Sequence, residues 1–164
     1  MRRRQHYFTW EPDTPLPLEF TIHRTLRFSE ADALGIAWHG NYLRFFEDAH
    51  TELMRRIGLD YNRYFTADLG APVAQAHVDY HAPLRLDEPF AVTARLFWND
   101  GARLNVEYEI RNASGALAAT GYTVQMFIEL STRQPCLVIP PPLAECQRRW
   151  QKGEFADLTI SGNS

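Results

Sequence analysis

The stretch from Asn41 to Gly58 constrains the fold of this chain more than any other. At helical pitch, Tyr42, Phe45, Phe46, Ala49, Leu53 and Ile57 fall within an arc of about 120°, which Leu43 and Met54 widen to about 180°. Arg44, Asp48, Thr51 and Arg55 take the opposite side. Asn41 suits the N-cap and Gly58 the stop, and Arg55 and Arg56 favour the C-terminal end of the helix dipole. An apolar arc this broad must be wrapped by other structure, and the rest of the chain offers mostly strands to wrap it.

Glu19 to Phe28 reads as a strand, with Phe20, Ile22, Leu26 and Phe28 at even positions. Val73–His81 is a second candidate, and Phe90–Trp98 alternates as a third. Arg103–Arg111 follows Asn99-Asp100-Gly101, a hairpin signal, and Ala116–Leu130 follows the turn Asn112-Ala113-Ser114-Gly115. The outline is an α+β domain: one strand, one long helix, then four strands in a mostly antiparallel meander. Residues 1–18, rich in proline towards their end, form an extended lead-in. Residues 19–139 form the domain, and 140–164 a tail in which Leu143–Lys152 makes a short helix.

Composition narrows what such a domain does. A chain of 164 residues is one domain, with no room for a second catalytic module. A net charge of -3 gives none of the basic footprint of a nucleic-acid binder. Cys136 and Cys146 form neither a disulfide framework nor a metal site and read as reduced thiols. Arg2, Arg3 and Arg4 have no apolar run behind them, so they read as a solvated end rather than a secretory signal. With no long apolar run either, the expectation is a cytoplasmic protein without a membrane partner.

No G-x-S-x-G elbow, phosphate loop or dinucleotide fingerprint occurs. His77 and His81 have the spacing of a helical metal pair, but on a strand they stand about 13 Å apart and cannot share an ion. The informative region is the loop Glu30–Asn41. It sets Asp32 seven residues before His39, next to the start of the helix. Backbone N–H groups there are unpaired and partly positive, and can hold a carbonyl oxygen or an oxyanion. A carboxylate beside such donors makes a compact hydrolytic site.

The run Arg27-Phe28-Ser29-Glu30-Ala31-Asp32-Ala33-Leu34-Gly35-Ile36-Ala37-Trp38-His39-Gly40-Asn41-Tyr42-Leu43-Arg44-Phe45-Phe46-Glu47 resembles the signature of the hotdog-fold acyl-CoA thioesterases, in their 4-hydroxybenzoyl-CoA thioesterase-like branch. Asp32, Gly35, Trp38, His39, Asn41, Tyr42 and Glu47 carry the likeness. Tyr80-His81-Ala82-Pro83-Leu84-Arg85-Leu86-Asp87-Glu88 resembles the family's approach to its third strand. The resemblance implies an antiparallel sheet wrapped around one central helix, and hydrolysis of an acyl-CoA or acyl-carrier-protein thioester to free acid and thiol. It also implies a homodimer or homotetramer with no metal or redox cofactor. Asp32 matches the catalytic aspartate, as nucleophile or general base. His39 matches the residue whose N–H polarises the thioester carbonyl and whose side chain is implicated in some branches.

Glu47 matches a helix glutamate used by another branch, but a place in a polar network or in solvent reads equally well. His50 reads as a hydrogen-bonded core histidine. Arg85, Arg95, Arg103, Arg111 and Arg133 are candidate contacts for coenzyme A phosphates, none favoured over the others. Phe28, Trp38, Tyr42, Phe45 and Phe46 crowd the loop and the first helical turns, either as rings that fill a small core or, for some of them, as the lining of an acyl pocket for an aromatic or medium-chain acid. Two rivals remain: a hydratase or dehydratase on the same fold, disfavoured by the seven-residue Asp32–His39 spacing, and a non-catalytic acyl-thioester-binding protein.

Overall fold

The computed structural model describes residues 6–159, so Arg2, Arg3 and Arg4 lie outside the described residues. Strand β1 is Leu18–Thr25, followed by helix α1 (Tyr42–Arg56), a short helix α2 (Tyr61–Thr66) and strand β2 (Leu69–Gly70). Then come β3 (Val73–Tyr80), β4 (Pro89–Phe97), β5 (Arg103–Arg111), β6 (Leu117–Met126), β7 (Ile128–Glu129) and helix α3 (Pro141–Gln151). Five strands form an antiparallel sheet in the order β1-β4-β5-β6-β3, and β2 pairs with β7 in a small second sheet. The sheet wraps α1, which packs on β1, β4 and β3.

Strand alternation explains the wrapping. Phe90 meets Phe45 of α1 with ring centres 5.0 Å apart, and Tyr108 stacks on Phe46 at 4.5 Å. The same face therefore carries Val92, Ala94, Leu96, Leu104, Val106 and Ile110, all buried. Gly121 lets the helix approach this closely. A Cβ there would lie 2.2 Å from the His77 carbonyl oxygen and 2.5 Å from the Phe46 ring.

The outer face is built differently. Arg95 is buried there, paired with Glu19 at 2.8 Å and 3.9 Å from Glu107. The lead-in crosses this face: His6 Nδ1 lies 2.7 Å from Glu107, the Phe8 N–H donates to Glu107 at 2.8 Å, and Tyr7 packs on Tyr122 and His77. Trp150 of α3 donates its indole N–H to the Leu16 carbonyl at 2.9 Å and meets Trp98 edge-on.

The strands differ from the expected four-strand meander in one respect. Only β4, β5 and β6 run as a meander, while β3 pairs with β6 at the far edge of the sheet. Its connection to β4 must therefore cross the molecule, and it passes the start of α1. Ala116–Leu130 is likewise not one strand. It breaks at Phe127, which turns inward, 1% exposed, with its N–H on the Ala102 carbonyl at 3.0 Å. Among the described residues no helix is long and apolar enough to cross a membrane.

Candidate active site

The crossing chain from β3 to β4 and the loop ahead of α1 are zipped together. The Ala37 N–H donates to the Leu84 carbonyl at 2.8 Å and the Leu86 N–H to the Gly35 carbonyl at 2.9 Å. Ile36 and Arg85 form the bridge between them. Within the loop, the Asp32 N–H bonds the Ile36 carbonyl at 2.8 Å and the Gly35 N–H bonds the Asp32 carbonyl at 3.0 Å. Asp32 Oδ1 accepts the Leu34 N–H at 2.8 Å, an Asx turn. Among the described residues nothing else hydrogen-bonds this half-buried carboxylate, so its second oxygen is open.

Glu30 holds the loop rather than the chemistry. Its carboxylate takes Arg24 at 2.6 Å and the Arg27 N–H at 3.0 Å. Its carbonyl accepts the Trp38 N–H at 2.9 Å and the Asn41 side-chain amide at 2.8 Å. Asn41 therefore does not cap the helix with its side chain as expected; the amide is spent tying the helix start to the loop.

His39 opens a single tight turn, His39–Asn41, that leads into α1. The first bond of this turn runs from the Asn41 N–H to the Trp38 carbonyl at 3.0 Å, so the N–H groups of His39 and Gly40 precede the hydrogen-bonded ladder. The Trp38 indole lies over Gly40, where a Cβ would fall 2.2 Å from the ring, and packs beside the exposed His39 imidazole. The His39 carbonyl accepts the Tyr80 hydroxyl at 2.7 Å. Tyr80 in turn meets Tyr42 edge-on at 4.8 Å. Burial pushes the Tyr42 hydroxyl pKa up, the nearby Tyr80 and Asp32 add to this, and a backbone hydrogen bond with Leu84 opposes it. Asp32, the start of α1, Tyr42 and Tyr80 thus form one cluster. The sequence marks Tyr80 only as the first residue of the segment that leads to the third strand, with no role at the site; its alternation with Val78 and Ala76 sets it on the helix side.

A cavity of about 190 Å³ lies farther along α1, between that helix, α2 and the β3 edge. Leu43, Phe46, Glu47 and His50 line it from the helix, Tyr61 from α2, and Val73, Ala76, Tyr108, Thr123 and Gln125 from the strands. Of the aromatic residues expected in an acyl pocket, only Phe46 lines this space. Phe45 is in the core and Phe28 is 86% exposed. Helical spacing alone could not separate core from pocket, because Phe45 and Phe46 lie in the same apolar arc of α1.

His50 is a buried core residue: its Nδ1 and the Tyr108 hydroxyl share a hydrogen bond at 2.9 Å, and that hydroxyl shares another with Thr123 at 2.9 Å. Burial holds the His50 imidazole down to about 4, so it is neutral. Glu47 is exposed and close enough to Tyr61 and Tyr108 to raise both hydroxyls beyond the larger effect of burial. Arg95 and Arg111 are committed to Glu19 and Glu109, whereas Arg85, Arg103 and Arg133 are exposed. His77 and His81 bond different partners, Asp79 at 2.9 Å and Thr120 at 2.9 Å. Among the described residues no group of three or more His, Cys, Asp and Glu is placed to hold a metal ion.

Residues 26–146 match the family model described as the thioesterase-like superfamily. The 1,4-dihydroxy-2-naphthoyl-CoA hydrolase of Thermosynechococcus vestitus is 30% identical over 79% of this chain and 88% of its own length. The acyl-CoA thioester hydrolase YbgC of Escherichia coli is 28% identical over 55% of this chain and 67% of its own. Among solved structures, a DHNA-CoA thioesterase from Staphylococcus aureus superposes with a TM-score of 0.73 at 25% identity, covering 87% of this chain and 97% of that one. Another S. aureus protein, solved in complex with CoA, shares the fold at 21% identity and a TM-score of 0.74, covering 85% of this chain and 88% of that one.

Proposed function

Because the chain belongs to the thioesterase-like superfamily, has the hotdog fold and is an acyl-CoA thioester hydrolase, we propose that the chemistry is done by Asp32 against a thioester carbonyl held at the start of α1. The observation that carries this reading is the open Asp32 oxygen beside a helix start whose first N–H groups have no intrahelical partner. The His39 N–H serves as oxyanion donor, and the exposed His39 side chain lies at the same mouth. A thiolate leaves readily, so no strong general acid is needed. Asp32 attacks the carbonyl to give a mixed anhydride that water hydrolyses, or takes a proton from the attacking water; both routes use the same geometry.

The rest of the reading concerns substrate and assembly. The cavity along α1, with Leu43, Phe46, Val73 and Ala76 among its lining, favours a medium-chain or aromatic acyl group. The DHNA-CoA relative favours the aromatic one. Residues 19–139 are the catalytic unit, with 1–18 and 140–164 as flanking segments. A second copy pairs along β3, an edge strand exposed over most of its length, and so closes the groove beside it. A panel of acyl-CoA thioesters read by free thiol tests the activity, and sedimentation tests the dimer. Thiol release from the panel supports hydrolysis. A change in enoyl absorbance without thiol would mean a hydratase, and binding with neither would mean a carrier.

A further inference from the structure

We infer that Tyr61 sets the length of acyl group that the protein accepts, by standing as a stop across a groove that runs along α1. The inference rests on the reading that places the thioester at the start of that helix. The cavity of about 190 Å³ has Leu43 at that end of its helical wall and His50 and Tyr61 at the other. A second space of about 440 Å³ lies between α1 and α2, with Thr51, Met54, Leu59 and Asn62 in its lining. His50 and Tyr61 are the two residues that line both spaces.

The helix makes the two spaces parts of one groove. Leu43, Glu47, His50 and Met54 recur every three or four residues and so share a face of α1. The first three line the smaller cavity, while His50 and Met54 line the space beyond it. The floor of that second space is Met54, Leu59 and Tyr64, all buried, a surface that suits an alkyl chain.

Of the two residues in the partition, His50 is fixed in the core by its hydrogen bond with Tyr108 at 2.9 Å. Tyr61 is the first residue of α2, 47% exposed, with its ring edge-on to Tyr64 at 6.2 Å. Among the described residues its hydroxyl makes no hydrogen bond, so the ring alone forms the stop. A cavity of about 150 Å³ takes one benzene ring. The space before the stop therefore takes a compact ring system or a short chain, and a longer chain runs into Tyr61.

The test is the ratio of kcat/KM on dodecanoyl-CoA to that on hexanoyl-CoA, read by thiol release. In the wild type the longer thioester is expected to be the poorer by about tenfold or more. Tyr61→Ala, which joins the two spaces, is expected to recover most of that ratio, and Tyr61→Phe to keep the wild-type value because the ring is retained. Equal use of both thioesters by the wild type, or a ratio unchanged in Tyr61→Ala, overturns the inference. So does a shift in Tyr61→Phe as large as that in Tyr61→Ala. Tyr61→Leu replaces the alanine variant if that one fails to fold. Failure of the underlying reading shows separately, as near-normal kcat in Asp32→Asn or as no thiol released from either thioester. In the latter case the same ratio is read from the affinities of dodecanoate and hexanoate.

Discussion

The loop before α1 and the middle of α1 lie in the same signature stretch, yet they are held by different forces. The loop is pinned by backbone bonds, within itself and to the crossing chain, and by Glu30 and Asn41, and it leaves Asp32, His39 and Tyr80 partly open to solvent. The middle of α1 is held by packing: Phe46 lies on Tyr108 and against Gly121, and His50 is sealed beneath the sheet. On the proposed reading the groups that react are placed by hydrogen-bonded backbone, while the core fixes the helix that orients them. Substitutions in the two regions should therefore fail in different observables.

The largest expected effect is on turnover. Asp32→Asn keeps the Oδ1 acceptor of the Asx turn but removes the charge. Its kcat should fall by about 10² or more with KM little changed, and its Tm should stay close to wild type. In the core, Gly121→Ala should cost about 3 kcal/mol, since the new Cβ meets backbone rather than a yielding side chain. Thermal unfolding would show this, while kcat at low temperature stays near normal.

Acid sharpens the contrast. His50 is held down to about 4 in the fold, from 6.5 in the unfolded chain. The unfolded state therefore binds more protons between these values, and the stability is fully present above pH 6.5 and lost as pH falls towards 4. The full loss is at most about 3 kcal/mol. Denaturant titrations across this window should show the slope, and His50→Gln should flatten it. The smallest effect belongs to Tyr80→Phe. Removing the hydroxyl that holds the His39 carbonyl should lower kcat by about tenfold or less, with little change in Tm.

The parts legible beforehand are those written in local periodicity. The helix read as Asn41–Gly58 is found at Tyr42–Arg56, and Arg103–Arg111 has the expected bounds. The order of strands was not legible, because alternation says which side of β3 faces inward but not which neighbour it pairs with. Helix α2 was missed although Asp60 caps it, accepting the Arg63 N–H at 3.1 Å; six residues are too few to show a period. Asp32 and His39 stood out because their loop precedes a strong helix. Tyr80 did not, since its partner carbonyl lies 41 residues away in the chain. The second role of Asn41 was hidden for a related reason: whether an asparagine caps its own helix or ties down a loop depends on where Glu30 comes to lie.

The measurement that bears most directly on this division pairs kcat on a responsive acyl-CoA with Tm for wild type, Asp32→Asn and Gly121→Ala. The account predicts that Asp32→Asn loses turnover at unchanged Tm, whereas Gly121→Ala loses Tm and keeps its turnover in the cold. Near-normal kcat in Asp32→Asn would contradict it.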